Sequence, residues 1–163
     1  MTPEMRRRVF TDPRYFVAMG LGSGLAPRAP GTFGTLAAVP FYFALIQLSP
    51  VWYLVALILL FAAGVYVCEF VSREMEIKDP GAIVFDEFVG LWLSLFMLPG
   101  GWYWLPAGVV LFRVFDILKP FPVSWFDRNV KGGLGIMADD VVAGLYALAA
   151  VQLLALGTRE FAL

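Results

Sequence analysis

Five long apolar segments, separated by short breaks of polar residues or of glycine and proline, dominate the pattern of the chain. They cover residues 33–48, 51–70, 83–98, 102–118 and 138–156. An upright helix needs about 20 apolar residues to cross a bilayer, so the second segment is long enough, whereas the first and third are short and one of them could be re-entrant. The pattern predicts an all-α fold, a small polytopic membrane bundle of about five helices.

The segments outside this pattern suggest how the chain is divided. Residues 1–19 are polar and basic and lack the apolar core of a secretory signal, so we predict a leader that is cytosolic or lies at the membrane interface. Residues 20–157 are predicted to form a single membrane-embedded domain, which a tail at residues 158–163 follows.

Three breaks within the domain are long enough to have structure of their own. Residues 20–35, GLGSGLAPRAPGTFGT, are too rich in glycine and proline for a regular helix and predict a shaped loop. Residues 72–81 carry several charges and predict an exposed polar connection. Residues 120–137 predict a loop between the fourth and fifth helices, because Pro120 and Pro122 stop the fourth.

Composition supports the membrane interpretation and excludes several kinds of chemistry. Hydrophobic residues make up 60% of the chain, and its mean hydropathy is +0.77. The hydrophobic share is well above that of an ordinary soluble protein. A net charge of −1 argues against nucleic acid as a partner, because binding to phosphate backbones needs a cationic excess. The chain has no histidine and one cysteine, Cys68, so a histidine base, an internal disulfide and a multi-cysteine zinc site are all excluded.

The distribution of charge predicts which ends of the helices lie together. With the leader on the cytosolic side, the outward turns would be residues 49–50 and 99–101, and neither carries a charge, in agreement with the rule that lysine and arginine stay inside. This topology brings the start of the third helix, the end of the fourth and the start of the fifth to one membrane face. We therefore predict one pocket there, formed by Asp86, Glu87, Asp116, Lys119, Arg128, Asp139 and Asp140, with Arg28 at the same face.

Two pairs of adjacent acids are the strongest chemical signal. They are Asp86 with Glu87 and Asp139 with Asp140. Each pair precedes a glycine, Gly90 or Gly144, that would let another helix approach closely. Acids in a first helical turn can simply complement the helix dipole. Two such pairs and Asp116 on one face instead predict a metal site, because clustered carboxylates repel one another unless a cation holds them. Oxygen ligands favour Mg²⁺, with Mn²⁺ as a substitute.

Basic residues and a threonine near these acids suggest an anion site. Lys119 and Arg128 would bind a substrate phosphate, although they could also belong to a solvated cytosolic loop. Arg28 precedes a helix that has Thr32 and Thr35 near its start, where backbone N–H groups suit an anion. This glycine-rich stretch could also be only a packing turn.

Two ion pairs offer a purely structural reading of the same charges. Arg113 and Asp116 are three residues apart on one helical face and could form a structural pair. Asp127 could pair with its neighbour Arg128.

Three blocks of the sequence resemble the phosphatidylglycerophosphatase A family. They are GSGLAPRAPGTFGTLAAVPF, GAIVFDEFVGLW and FRVFDILKPFPVSWFDRNVKGGLGIMADDVVAG, in that order, between about Gly20 and Gly144. The resemblance implies a Mg²⁺-dependent lipid phosphatase of the bacterial inner membrane, with its active site facing the cytoplasm, that converts phosphatidylglycerophosphate to phosphatidylglycerol. It places Asp86, Glu87, Asp116, Asp139 and Asp140 in the catalytic blocks, and of these we expect Asp86, Glu87, Asp139 and Asp140 to bind the metal.

The sequence leaves the mechanism and two rival functions open. A metal-activated water could attack phosphorus directly, or a carboxylate could form an aspartyl-phosphate. Acids within a membrane protein also mark the path of an ion- or proton-coupled transporter, and glycine-rich helices are found in assembly subunits without enzymatic activity. The same glycines permit a homodimer but do not require one.

Overall fold

The computed structural model describes residues 3–76 and 81–160, and every regular element in these two ranges is a helix. The α-helices, numbered in chain order, are α1 (Pro3–Thr11), α2 (Pro13–Ala18), α3 (Pro30–Leu45), α4 (Pro50–Met75), α5 (Phe85–Ser94), α6 (Trp104–Leu118), α7 (Val123–Asn129) and α8 (Gly132–Glu160). A short 3₁₀ segment, Gly20–Leu25, connects α2 to the loop before α3. The prediction of an all-α fold is confirmed.

The predicted leader folds against the rest of the chain. Glu74 of α4 accepts hydrogen bonds from Arg8 at 2.5 Å and from the hydroxyl of Tyr15 at 2.9 Å. The guanidinium of Arg14 lies 3.6 Å from the centre of the Phe70 ring, a cation–π distance. Helices α1 and α2 are therefore attached to the cytosolic end predicted for α4, and the boundary predicted after residue 19 stays a prediction.

The short helix α5 is the centre of the molecule, in contact with α3, α4, α6 and α8. It spans 10 residues rather than the predicted range 83–98. Its buried face includes Phe88, Leu91 and Trp92. The indole N–H of Trp92 donates to the carbonyl of Ala38 in α3 at 2.9 Å, and its own carbonyl accepts from the hydroxyl of Tyr53 in α4 at 2.6 Å. These bonds satisfy polar groups that burial would otherwise leave unpaired.

Two glycines let α5 and α8 approach so closely that their backbones are in contact. A Cβ atom on Gly144 would lie 2.5 Å from the carbonyl oxygen of Gly90, and a Cβ on Gly90 would lie 2.8 Å from the carbonyl oxygen of Asp140. A methyl group fits at neither position. The glycines that follow the two acid pairs thus face each other, and the close helix approach that the sequence suggested for each of them is the contact between α5 and α8.

The segment predicted as a loop at residues 120–137 is largely helical. A cis peptide bond joins Phe121 to Pro122, α7 follows it, and α8 already begins at Gly132. The backbone N–H of Gly133 donates to Glu69 of α4 at 2.5 Å, which satisfies one of the free N–H groups in the first turn of α8. Glycine suits this turn because a Cβ on Gly133 would collide with the carbonyl oxygen of Val65.

The other two predicted breaks are also shorter in the structure. Helix α3 begins at Pro30, inside the predicted loop 20–35, because proline is well suited to a first helical turn, and it continues through Pro40. Helix α4 extends to Met75, so part of the predicted polar connection is helical, and Lys78 and Asp79 lie outside the described residues.

Two helices are long and apolar enough to cross a membrane, α4 and residues 132–157 of α8. Many of the large apolar side chains on the outside are strongly exposed, including Trp52, Ile58 and Leu153 at 64%, 67% and 68%. Such a surface is typical of contact with lipid or with another protein. Helices α3, α5 and α6 have 16, 10 and 15 residues, fewer than an upright crossing needs, so the five-crossing arrangement stays a prediction.

Candidate functional site

One pocket gathers the acids that the sequence singled out. It has a volume of about 410 Å³ and lies at the start of α5, the end of α6 and the first turns of α8. Its acidic lining residues are Asp86, Glu87, Asp116, Asp127, Asp139 and Asp140. Its basic lining residues are Lys119, Arg128 and Lys131. We call this cavity the acidic pocket. Residues far apart in the sequence thus share one site.

The position of Asp139 in α8 removes one structural explanation for its presence. The helix starts at Gly132, so Asp139 and Asp140 lie about two turns inside it. The helix dipole acts only within the first turn, and it cannot account for them. Asp86 and Glu87 do lie in the first turn of α5, where the dipole favours negative charge.

Glu87 is held by two partners at the bottom of the pocket. It is 7% exposed, accepts a hydrogen bond from the hydroxyl of Thr35 at 2.8 Å, and pairs with Arg113 of α6. Arg113 also pairs with Asp116 at 2.8 Å. The ion pair expected between Arg113 and Asp116 is therefore present, and it includes Glu87 as a third member. A Cβ atom on Gly31 would collide with Glu87, so glycine at this position gives the carboxylate its space.

Lys119 connects two acids at the rim of the pocket. Its ammonium group lies 2.6 Å from Asp127 and 2.7 Å from Asp139. Partial burial alone would lower the pKa of Lys119, but hydrogen bonds and charge attraction from the two acids outweigh it, so the net pKa is raised. Lys119 is therefore a permanent cation at neutral pH. The alternative pairing of Asp127 with Arg128 does not occur among the described ion pairs, because Asp127 is taken by Lys119.

Asp140 is the carboxylate whose burial is least compensated. It is 4% exposed, and its buried Oδ2 atom has no hydrogen-bond partner among the residues that the structure describes. A buried acceptor left unpaired costs about 1–3 kcal/mol, and more for a charged group. Such an atom in a functional pocket suggests an absent ligand, of which a cation is the simplest kind.

The donor atoms of the acidic pocket fit Mg²⁺ in type, since all of them are oxygens. In the described residues, however, no three acidic side chains lie close enough to one another to form a ready-made metal cage. Glu87 and Asp139 are instead engaged with Arg113 and Lys119. The unpartnered oxygen of Asp140 is the observation that favours a cation here.

The four predicted substrate-binding residues fall into two groups. Lys119 and Arg128 line the acidic pocket. Arg28 is exposed and is not among the lining residues, and Thr32 lies on the exposed side of α3, beside a neighbouring groove. Their roles stay predictions.

From the sequence, Thr35 was noted only near the start of a helix that suits an anion, and its contact with Glu87 was not predicted. Its hydroxyl is almost fully buried, at 1% exposure, and reaches Glu87 from α3. Its position could have indicated a role, because Thr35 lies one helical turn after Gly31 in a mostly apolar helix and is therefore on the same helical face. Arg113 was considered only as a partner of Asp116.

Comparisons with known proteins agree on one family. Residues 16–155 match the profile of the family described as Phosphatidylglycerophosphatase A. The chain is 46% identical over 140 residues to the Phosphatidylglycerophosphatase A of Escherichia coli (strain K12), covering 85% of this chain and 81% of that protein. It is 44% identical over 142 residues to the protein of the same name from Haemophilus influenzae (strain ATCC 51907 / DSM 11121 / KW20 / Rd), covering 86% and 87%.

A third relative carries a different name. The Putative phosphatidylinositol-3-phosphatase of Bacteroides thetaiotaomicron (strain ATCC 29148 / DSM 2079 / JCM 5827 / CCUG 10774 / NCTC 10582 / VPI-5482 / E50) is 42% identical over 142 residues, covering 80% of this chain and 86% of that protein. No solved structure matches the chain. Both names denote phosphatases that act on phospholipids.

Proposed function

Because the chain belongs to the phosphatidylglycerophosphatase A family, we propose that the acidic pocket is the active site of a phosphatidylglycerophosphatase. The enzyme hydrolyses the terminal phosphate monoester of phosphatidylglycerophosphate to give phosphatidylglycerol and phosphate, a step of phospholipid biosynthesis. The observation that carries the assignment of the site is the convergence of acids and cations from α5, α6, α7 and α8 on one cavity.

The cations at the rim would receive the phosphate. Lys119, Arg128 and Lys131 line the pocket on the side of α7 and can neutralise a phosphate dianion through charge-assisted hydrogen bonds. Lys119 is already fixed between Asp127 and Asp139, so it presents its charge at a defined point. Positioning of this kind supplies much of the catalysis in phosphoryl transfer.

The acids would hold Mg²⁺ and handle the proton of the attacking water. We assign the metal to Asp86, Glu87, Asp139 and Asp140, with Asp140 contributing the buried oxygen that lacks a hydrogen-bond partner within residues 3–76 and 81–160. Bound Mg²⁺ would neutralise charge on the phosphoryl oxygens and lower the pKa of a water. Asp116 is held beside this group by Arg113. One of the carboxylates of the pocket would accept the proton from water.

The direct attack of water is the mechanism that we propose. A covalent aspartyl-phosphate is the alternative, and it would need one carboxylate to reach phosphorus without a cation between them. Glu87 and Asp139 are both engaged with basic side chains, which favours roles in charge and proton transfer over nucleophilic attack.

The location that we propose is the bacterial inner membrane, with several crossings and the acidic pocket facing the cytoplasm. The two long apolar helices and the exposed apolar side chains support membrane insertion. The grouping of basic residues at the pocket end of the molecule supports the orientation.

Phosphate release from purified protein tests the function and the site together. The assay would follow phosphatidylglycerophosphate in detergent micelles, with Mg²⁺ or with EDTA, for the wild type, Asp139→Asn and Asp12→Asn. Asp12 caps α2 away from the pocket, and asparagine keeps the cap, so it is a matched control. We expect Mg²⁺-dependent release by the wild type and by Asp12→Asn, and a loss of at least about 100-fold in Asp139→Asn.

Each contrary result has a distinct meaning. Release in EDTA would exclude the metal mechanism, and full activity of Asp139→Asn would exclude the site. No release by the wild type would favour a transporter or an assembly subunit. A parallel assay with phosphatidylinositol 3-phosphate tests the substrate specificity, and we expect phosphate to be released more slowly from this lipid.

A further inference from the structure

An apolar groove lies between α3 and α6. Its volume is about 440 Å³, and the side chains that define it are Thr32, Val110, Arg113, Val114 and Ile117. We call it the α3–α6 groove. Arg113 is the only charged residue that lines it in the described part of the chain. Helix α3 packs mainly against α5 and the 3₁₀ segment, and α6 packs mainly against α8 and α5. The two helices barely touch each other, which leaves the groove between them open.

The groove and the acidic pocket share a wall. Gly31 lines the pocket, and the next residue, Thr32, lines the groove. Arg113 lines the groove and forms an ion pair with Glu87, which lines the pocket. A molecule bound across this wall would have a charged part on one side and an apolar part on the other.

The outer part of the groove is built to contact hydrocarbon. Val110 and Ile117 are 60% and 67% exposed, and Val109, Val114 and Leu118 line the groove beside them. In contrast, the pocket behind the wall carries acids and bases on nearly every side. A lipid with a phosphate headgroup has the same division, with its charge and its chains at opposite ends.

We propose that the α3–α6 groove holds an acyl chain of the lipid substrate while the phosphate of the same molecule occupies the acidic pocket. This inference rests on the proposed function and adds the route by which the substrate is bound. A bilayer solvates an acyl chain as well as the groove does, so the contact contributes orientation rather than affinity. Loss of orientation should reduce the rate of the reaction even when the headgroup still binds.

Filling the groove with a larger side chain tests the proposal. Val110→Trp and Val114→Trp would occupy it, and both positions are exposed enough to accept the ring. Ile58→Trp on α4 is the matched control, because Ile58 is as exposed as Val110 and lies outside the groove. The measured quantity is the ratio of kcat/KM for dioleoyl to that for dibutanoyl phosphatidylglycerophosphate, whose chains are too short to lie along the groove.

We expect the ratio to fall about tenfold in the two groove variants and to stay unchanged in Ile58→Trp. An unchanged ratio in the groove variants, or an equal fall in the control, would overturn the proposal while leaving the proposed function intact. A wild type that releases no phosphate from either lipid would instead overturn the proposed function.

Photolabelling gives a second readout that does not depend on turnover. Phosphatidylglycerol with a diazirine near the middle of one acyl chain would be irradiated with the full-length wild type in micelles. We expect labelled peptides from α3 and α6, and protection by excess phosphatidylglycerophosphate. Labels distributed evenly over α4 and α8, without protection, would overturn the proposal.

Discussion

Single residues in the acidic pocket are held by partners from other helices, and Glu87 is the clearest example. Its carboxylate is buried, and the groups that stabilise it, Thr35 and Arg113, come from α3 and α6. Each partner therefore affects both the stability of the fold and the position of a carboxylate in the site. We therefore expect the hydroxyl of Thr35 to affect activity even though it need not touch the substrate.

Thr35→Val removes that hydroxyl and keeps the shape of the side chain. A buried carboxylate that loses a hydrogen bond should cost about 1–3 kcal/mol of stability, and we expect phosphate release to fall about tenfold. Thermal unfolding in detergent and the phosphate assay measure the two effects. Thr11→Val is the control, because Thr11 is exposed and bonds only to a carbonyl of its own helix. Wild-type values in both assays for Thr35→Val would remove this residue from the site.

The residues of the site were predictable from sequence where charge is out of place in an apolar chain. Asp86, Glu87, Asp139 and Asp140 stand out for this reason, and all four line one pocket. Thr35 could not be recognised in the same way, because threonine is common in apolar helices and its partner is 52 residues away. The pairing of Asp127 with Lys119 depends on how α7 folds back, which charge pattern alone does not determine.

At the scale of helices, the contact between α5 and α8 sets the geometry of the pocket. The backbones of the two helices are in contact at Gly90 and Gly144, which lie one helical turn after the acids of each helix. The spacing of the two acid pairs therefore depends on the absence of two methyl groups.

Gly144→Ala should separate the two helices. Its Cβ would lie 2.5 Å from the carbonyl oxygen of Gly90, and overpacking of this kind typically costs about 1–3 kcal/mol. We expect a lower unfolding temperature and a loss of activity. Gly157→Ala in the same helix is the control, since nothing lies within 4 Å of the added methyl group. A Gly144→Ala variant as stable and active as Gly157→Ala would show that the close contact is unimportant.

Helix ends were harder to predict than helix positions. The loop 120–137 was predicted because Pro120 and Pro122 end the fourth helix, but a new helix, α7, begins directly after them and α8 begins at Gly132. In the structure Gly132 and Gly133 allow close packing on α4, where Glu69 accepts a hydrogen bond from the N–H of Gly133. Glycine in a membrane protein thus indicates a close approach as often as a break, and only the neighbouring helix distinguishes the two.

At the scale of the whole molecule, the acidic pocket lies at one end and the connection between α5 and α6 lies at the other. Helix α5 runs away from the pocket, and α6 returns to it and ends at Lys119. The amide of Gln152, near the end of α8, donates to the carbonyl of Met97 at the far end. The proposed orientation puts the pocket in the cytoplasm and this connection outside.

Accessibility of single cysteines tests the orientation. Cys68 is buried and would be replaced by alanine, and a new cysteine would be introduced as Arg128→Cys or as Trp102→Cys. Trp102 is 85% exposed at the far end. We expect a membrane-impermeant maleimide to label Trp102→Cys in intact spheroplasts and Arg128→Cys only after permeabilisation. The reverse pattern would place the pocket outside.

The most direct test of the central claim is an EPR titration with Mn²⁺, which replaces Mg²⁺ at oxygen-ligand sites. The claim is that acids from separate helices form one site for a divalent cation. We predict Mn²⁺ binding by the wild type and by Asp12→Asn, displacement by excess Mg²⁺, and binding weaker by about tenfold or more in Asp140→Asn. Equal binding by Asp140→Asn, or no binding by a wild type that is active in EDTA, would contradict it.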